Sequence, residues 1–348
     1  MFYASDNSSA VHPAIMDALA RANDGYAMPY GADTIMDEVR DTIREIFEAP
    51  EAVVYLVSTG TAANALALAT MCQPFETVFC SPTAHIHEDE CNAPEFYSGG
   101  AKLTIVGTDD KMTPEALDAA IAAEETRGVH GPQRGPVSVT QVTERGGVYS
   151  LAELQALTKT AKGYGLACHL DGARFANAQV ALGCTAAEMS WKAGFDAVSF
   201  GGTKNGCMGV EAVVFFDPAK AWEFELRRKR GGHLFSKHRY LSAQMQGYLA
   251  DGLWLDSAKQ ANANAAALLA GLQKIEGFSL TSDADANLFF ATLPRAAHQR
   301  LAKAGAQYYV LDGDVEKGDP DEPLPCRLVS SWSITEAQIS EFLALAKG

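Results

Sequence analysis

No apolar run in the chain approaches the ~20 residues of a membrane span, so no spanning helix is expected. The first residues, MFYASDNSSAVHP, lack a basic stretch followed by an apolar one, so no secretory leader is expected. Positive charge is scarce. Lys and Arg number 28 against 43 Asp and Glu, a formal net charge of −15. A surface this acidic repels phosphate backbones and anionic bilayers, which argues against nucleic-acid and membrane partners. The one basic run, Arg227-Arg228-Lys229-Arg230, reads as a solvated helix face, or else as an anion-facing or subunit-contact segment. The seven cysteines are odd in number and irregular in spacing, with no C-x-x-C. This argues against a disulfide framework and a zinc site, and no other metal set is expected. Most of these thiols lie in apolar runs, as core residues would, and a reducing cytoplasm fits them. Neither G-K-[ST] nor G-x-G-x-x-G stands at a strand–helix junction, which argues against a nucleotide-binding enzyme.

What is present is the pattern of a folded α/β chain. At 348 residues, one large and one small domain are expected: 15–250, and 1–14 with 251–348. Strands are predicted at Ala52–Val57, Thr77–Cys80, Leu103–Val106, Val137–Val142, Leu166–Leu170, Ala197–Phe200 and Val210–Phe216. Helical patterns at Ala62–Cys72, Thr113–Glu125, Leu151–Lys162 and Ala173–Leu182 alternate with them. Such alternation predicts a mostly parallel sheet sandwiched by helices. A long helical stretch is predicted from Lys237 to about Lys274, interrupted only by glycines. Strands at Asn287–Thr292, Gln307–Leu311 and Cys326–Ser330 then alternate with helices Arg295–Ala304 and Thr335–Ala346, a smaller α+β unit.

Three motifs follow predicted strands, where ligands of such sheets bind. Ser58-Thr59-Gly60-Thr61-Ala62-Ala63-Asn64 opens a helix. Small residues and free helix-start N–H groups suit a phosphate, although a plain N-cap turn reads the same way. His169-Leu170-Asp171-Gly172-Ala173-Arg174 puts an Asp at a strand end. That Asp either caps the next helix or, beside a pyridine nitrogen, keeps the nitrogen protonated. Ser199-Phe200-Gly201-Gly202-Thr203-Lys204-Asn205-Gly206 holds a lysine in a tight loop, and its glycine spacing does not fit a Walker lysine. An amine there is a usable nucleophile for an aldehyde. Phosphate loop, then Asp171, then Lys204, all at the ends of strands of one sheet, point to pyridoxal 5′-phosphate (PLP).

With these segments the chain resembles the low-specificity L-threonine aldolases, PLP enzymes of the aspartate-aminotransferase-like fold (fold type I). The resemblance also takes in Ala4-Ser5-Asp6-Asn7, Tyr30-Gly31-Ala32-Asp33, Thr83-Ala84-His85 and Arg327-Leu328-Val329-Ser330-Ser331-Trp332. It implies that Lys204 holds PLP as a Schiff base and Asp171 pairs with the pyridine nitrogen. Gly60 and Thr61 would bind the phosphate, with Arg239 reaching in from a neighbouring subunit. His85, favoured over His87, would stack on the ring, and Thr143 would line the cofactor pocket. Arg174 would contact the cofactor O3′ or the substrate carboxylate, which Ser5 and Arg327 would bind. Tyr30 and His130 are further pocket candidates, and Glu90 is a possible neighbour. The implied reaction is retro-aldol cleavage of L-threonine, L-allo-threonine and related β-hydroxy-α-amino acids such as phenylserine. An aldehyde-lyase of this kind releases glycine, and His85 or His130 would be the base. A homo-oligomer, dimer or tetramer, with shared sites is expected. The rival readings are β-elimination or amino transfer on the same scaffold, and a non-catalytic PLP-binding protein.

Overall fold

The computed structural model describes residues 1–348. Seven strands form the main sheet: β1 (Val53–Val57), β2 (Glu76–Cys80), β3 (Lys102–Ile105), β4 (Gln133–Thr140), β5 (Cys168–Gly172), β6 (Ala197–Gly201) and β7 (Glu211–Phe215). Their order is β1-β7-β6-β5-β4-β2-β3. The run from β6 to β3 is parallel throughout, and its central strands β5 and β6 are buried along their whole length while the edge strand β3 is partly exposed.

The mostly parallel sheet predicted from alternation is present, with one reversal. β7 runs antiparallel to both β6 and β1. The connection from β6 to β7 therefore needs no crossover helix, and residues 202–210 make a short loop closed by the pair Gly201 and Glu211. Lys204 sits in that loop. Phe200 anchors its base, meeting Phe47, Phe175 and Trp254 edge-on with centroids 5.7, 5.3 and 5.4 Å away. The glycines matter for close approach: a Cβ on Gly172 would stand 2.7 Å from the Ser199 carbonyl oxygen. His169 of the H-L-D-G-A-R segment is a core group. Its ring bonds Ser138 at 3.0 Å and Ser199 at 2.9 Å, and burial pushes it down to about 4.

A second, antiparallel sheet has the order β10-β11-β9-β8, from β8 (Ser279–Leu280), β9 (Leu288–Pro294), β10 (Tyr309–Val310) and β11 (Pro323–Val329). Helices Arg295–Lys303 and Glu336–Lys347 cover it. The N-terminus joins this layer. The Tyr3 N–H donates to the Gln307 carbonyl, its own carbonyl accepts from Val329, and its ring meets Phe342 at 4.8 Å. That anchorage delivers residues 5–7 to the carboxyl ends of the central strands of the main sheet.

Two expectations are corrected. The stretch from Lys237 to Lys274 is two helices, Arg239–Leu249 and Leu253–Leu272, because Asp251 and Gly252 both take left-handed backbone (φ 52° and 74°) and end the first helix. The second helix serves both cores, with Trp254 and Ala258 in one and Leu268 and Leu272 in the other. The basic run is not wholly solvated. Arg228 is buried over the Tyr55 ring at 4.9 Å, since it alone of the four faces the sheet.

Candidate active site

One cavity of about 320 Å³ lies beyond the carboxyl ends of the parallel strands. Gly60, Thr61, His85, Asp171 and Lys204 all line it. On one wall, helix Gly60–Met71 begins directly after β1. Thr59 caps it by accepting from the Ala62 N–H at 3.1 Å, which leaves the Gly60 and Thr61 amides with no protein acceptor. A Cβ on Gly60 would meet nothing within 4 Å, so the space in front of these amides is open. The result is an anion cradle.

At the end of β5, the Asp171 carboxylate is held at both oxygens. Oδ1 accepts from the Ala173 N–H at 3.1 Å and Oδ2 from Asn64 Nδ2 at 2.9 Å. Asn64 Nδ2 also donates to Glu90 Oε1 at 2.9 Å, and Glu90 Oε1 meets His85 Nδ1 at 2.8 Å. The bond to Glu90 raises the His85 pKa, with Asp171 and Glu144 adding to it against the effect of burial. Burial pushes Glu90 up, and its bond to His85 pulls it back. Of the acidic stretch after His85, Glu88 and Asp89 are solvated while Glu90 is buried. His87 is exposed, and His85 is the histidine at the cavity.

The Lys204 loop is pinned from β7. The Gly202 N–H donates to Glu211 Oε2 at 2.8 Å, and the Val210 N–H to Thr203 Oγ1 at 3.1 Å. Glu211 is itself a buried cavity residue, and burial raises it to about 7 against the lowering effect of Thr203 and Lys204. No motif pointed to it, because its partners are backbone groups of a neighbouring loop.

Neither Arg174 nor Arg327 lines the cavity; they form a cationic cluster behind Asn7 and Ala173, which do. Arg174 is fully buried and bidentate to Asp6, Nε to Oδ2 at 2.7 Å and Nη2 to Oδ1 at 3.1 Å. Asn287 adds a bond to Asp6 at 3.1 Å. Burial pushes the Asp6 carboxyl up, and Arg174 and Lys204 more than reverse this, so it lies below the usual range. Burial and the nearby Arg174 charge push Arg327 down, and its Nη1 reaches only the Ala4 carbonyl at 3.5 Å. Asp6 and Glu144, the latter at 3.9 Å, both face Arg174, whereas Arg327 has no side-chain partner within bonding distance and is left to take an anion. Ser5 is adjacent and accepts from the Asn7 N–H, and Asn7 is the member of that segment lining the cavity.

Four expected residues lie elsewhere in the chain's own fold. Thr143 does not line the cavity. Its hydroxyl accepts from the Gly147 N–H at 2.9 Å and closes a buried turn. His130 was expected in a loop over the crevice, but it precedes β4. The eight residues of that strand put it roughly 25 Å from the carboxyl-end rim. Tyr30 is exposed beneath Lys229. The exposed Arg239 guanidinium donates to the Asp24 and Gly25 carbonyls.

PLP needs an anion cradle, a carboxylate for its ring nitrogen, an amine for its aldehyde and a flat group for its face. The cavity brings together one of each, so the residues fit the group. Fold and cavity thus define a PLP-dependent enzyme of the α/β class. A family model described as beta-eliminating lyase matches residues 3–294. The chain is 40% identical over 343 residues to a low-specificity L-threonine aldolase of a Pseudomonas species, covering 98% of this chain and 96% of that protein. It is 42% identical over 314 residues to another from Pseudomonas aeruginosa, covering 90% of each. A Leishmania major threonine aldolase structure superposes with a TM-score of 0.91 at 27% identity, covering 99% of this chain and 98% of that one. The chain belongs to the beta-eliminating lyase family and, within it, to the low-specificity L-threonine aldolases.

Proposed function

We propose that the protein is a PLP-dependent aldehyde-lyase. It cleaves L-threonine, L-allo-threonine and related β-hydroxy-α-amino acids to glycine and an aldehyde. The observation that carries this reading is the convergence of the Gly60–Thr61 cradle, His85, Asp171 and Lys204 on one cavity. When bound, PLP supplies an aldehyde that captures amines and a pyridinium ring that takes up an electron pair from a breaking Cα bond. Lys204 Nζ is the amine that would hold the cofactor. Asp171, whose own two bonds fix its direction, would keep a proton on the ring nitrogen. Arg327, with Ser5, takes the substrate carboxylate. Arg174 is held by Asp6 and shapes that pocket from behind. Fixing the carboxylate would orient the substrate's Cα substituents in the cavity and so favour Cα–Cβ over Cα–H cleavage. His85 is the base nearest this chain's own cavity.

In this reading Tyr30, His130 and Arg239 serve a neighbouring subunit's cavity in a cytoplasmic homo-oligomer. The exposed Tyr26, Met28 and Phe235 on the segments that carry Tyr30 and Arg239 support a partner there. The deciding experiment is incubation of the PLP-loaded enzyme with L-threonine. Acetaldehyde and glycine in equal amounts are expected. Release of ammonia with a keto acid would mark the β-eliminating alternative.

A further inference from the structure

Glu90 is a buried carboxylate to which the reaction above gives no task. Its Oε1 takes two contacts, from His85 Nδ1 at 2.8 Å and Asn64 Nδ2 at 2.9 Å. Its Oε2 is buried with no partner. The Asn64 amide is fixed in this sense, because turning it over would set its oxygen against both Glu90 and Asp171. An amide nitrogen only donates, so Glu90 Oε1 is an acceptor. Two nitrogens converge on Oε1, an arrangement that suits a carboxylate oxygen accepting from Asn64 Nδ2 and from an Nδ1–H of His85. His85 Nε2 has no protein partner, and the ring lines the cavity together with Lys204.

We propose that Glu90 is a positioning residue that fixes His85 in the Nδ1–H form and so leaves Nε2 as the atom that takes the substrate's β-hydroxyl proton. The proposal rests on the retro-aldol reading above. In the step, the substrate O–H bond breaks and its proton forms the N–H bond at Nε2. The freed electron pair becomes the carbonyl π bond of the leaving aldehyde, and the Cα–Cβ pair stays with the glycine fragment. The Asn64 bridge ties this base to Asp171, so one amide sets the geometry of both groups.

The charges that face His85 come from three elements besides its own. Glu90 lies on its own segment, Asp171 at the end of β5, Glu144 in the loop after β4, and Lys204 across the cavity. Removing Glu90's charge therefore removes one share of the stabilisation of the imidazolium and leaves the rest. The test is histidine 15N NMR of the full-length PLP-loaded enzyme, with His85 identified among the eight histidines by His85→Asn. In the wild-type enzyme the neutral ring of His85 is expected to carry its proton on Nδ1. In Glu90→Gln its titration is expected about one pH unit lower, with the acidic limb of kcat/KM for L-threonine moving by the same amount. Glu90→Asp keeps the charge and should hold the titration nearer the wild-type position. An Nε2–H form in the wild type, or a titration that stays in place in Glu90→Gln, would overturn the proposal. If Glu90→Gln fails to fold, the wild-type tautomer still decides. Absence of aldehyde release by the wild-type enzyme would overturn the retro-aldol reading instead, and the NMR result would stand apart from it.

Discussion

Asp6 and Arg174, 168 residues apart, form a bidentate ion pair whose side chains are 1% and 2% exposed. A pair this deep is costly to break, because the survivor is left as an unpaired buried charge. Asp6→Ala is expected to lower unfolding free energy by about 3 kcal/mol, read from urea titration. It should also raise KM for the amino acid, since the guanidinium behind the carboxylate pocket loses the partner that holds it in place. A variant with wild-type stability and KM would show that the pair is dispensable.

Lys204→Ala should lose both turnover and the visible absorbance that PLP acquires when covalently held. PLP itself should still bind, because the Gly60–Thr61 cradle and Asp171 are untouched. The spectrum of the dialysed, PLP-loaded variant checks this. A retained band would remove Lys204 from its role.

Arg327→Ala should act mainly on substrate binding. Loss of a charge-assisted contact of roughly 1.5–3 kcal/mol corresponds to a KM rise on the order of 10- to 100-fold. The absorbance of bound PLP should be unchanged, since Arg327 is not placed at the cradle or at Asp171. Steady-state kinetics beside a PLP titration separate the two effects.

Glu211 predicts a pH dependence of stability. Burial raises this carboxyl from its ordinary value of 4.5 to about 7. The folded state therefore binds its proton more tightly than the unfolded chain does. The associated stability is fully present below about 4.5 and is lost as pH rises through 7. The loss is on the order of 3 kcal/mol. Glu211→Gln should remove that component, so the difference in urea-unfolding free energy between variant and wild type should grow from pH 5 to pH 8. A pH-independent difference would count against a neutral buried Glu211.

Much of the site was readable along the chain because its parts are local. Gly60–Thr61 and Lys204 follow their own strands within a few residues and Asp171 lies at the end of β5, and a strand end of a parallel sheet is where ligands bind. Locality was silent at two places. A Gly/Pro-rich loop gave no sign of which end of β4 it occupied, and the fold sets His130 away from this chain's own cavity. A Thr after a strand looked like a pocket residue, yet Thr143 closes a turn.

The sequence by itself determined the elements, the chemistry-bearing loops and the cofactor class, because alternation, helix-start motifs and glycine spacing act over short distances. Tertiary structure alone decided the direction of β7, which turns the Lys204 loop into a hairpin that Glu211 can pin. It alone brought Asp6 to Arg174 and Glu90 through Asn64 to Asp171. These pairings join distant segments through buried polar groups. Their partners are chosen by which atoms must find a hydrogen bond once water is excluded, and no local pattern records that choice.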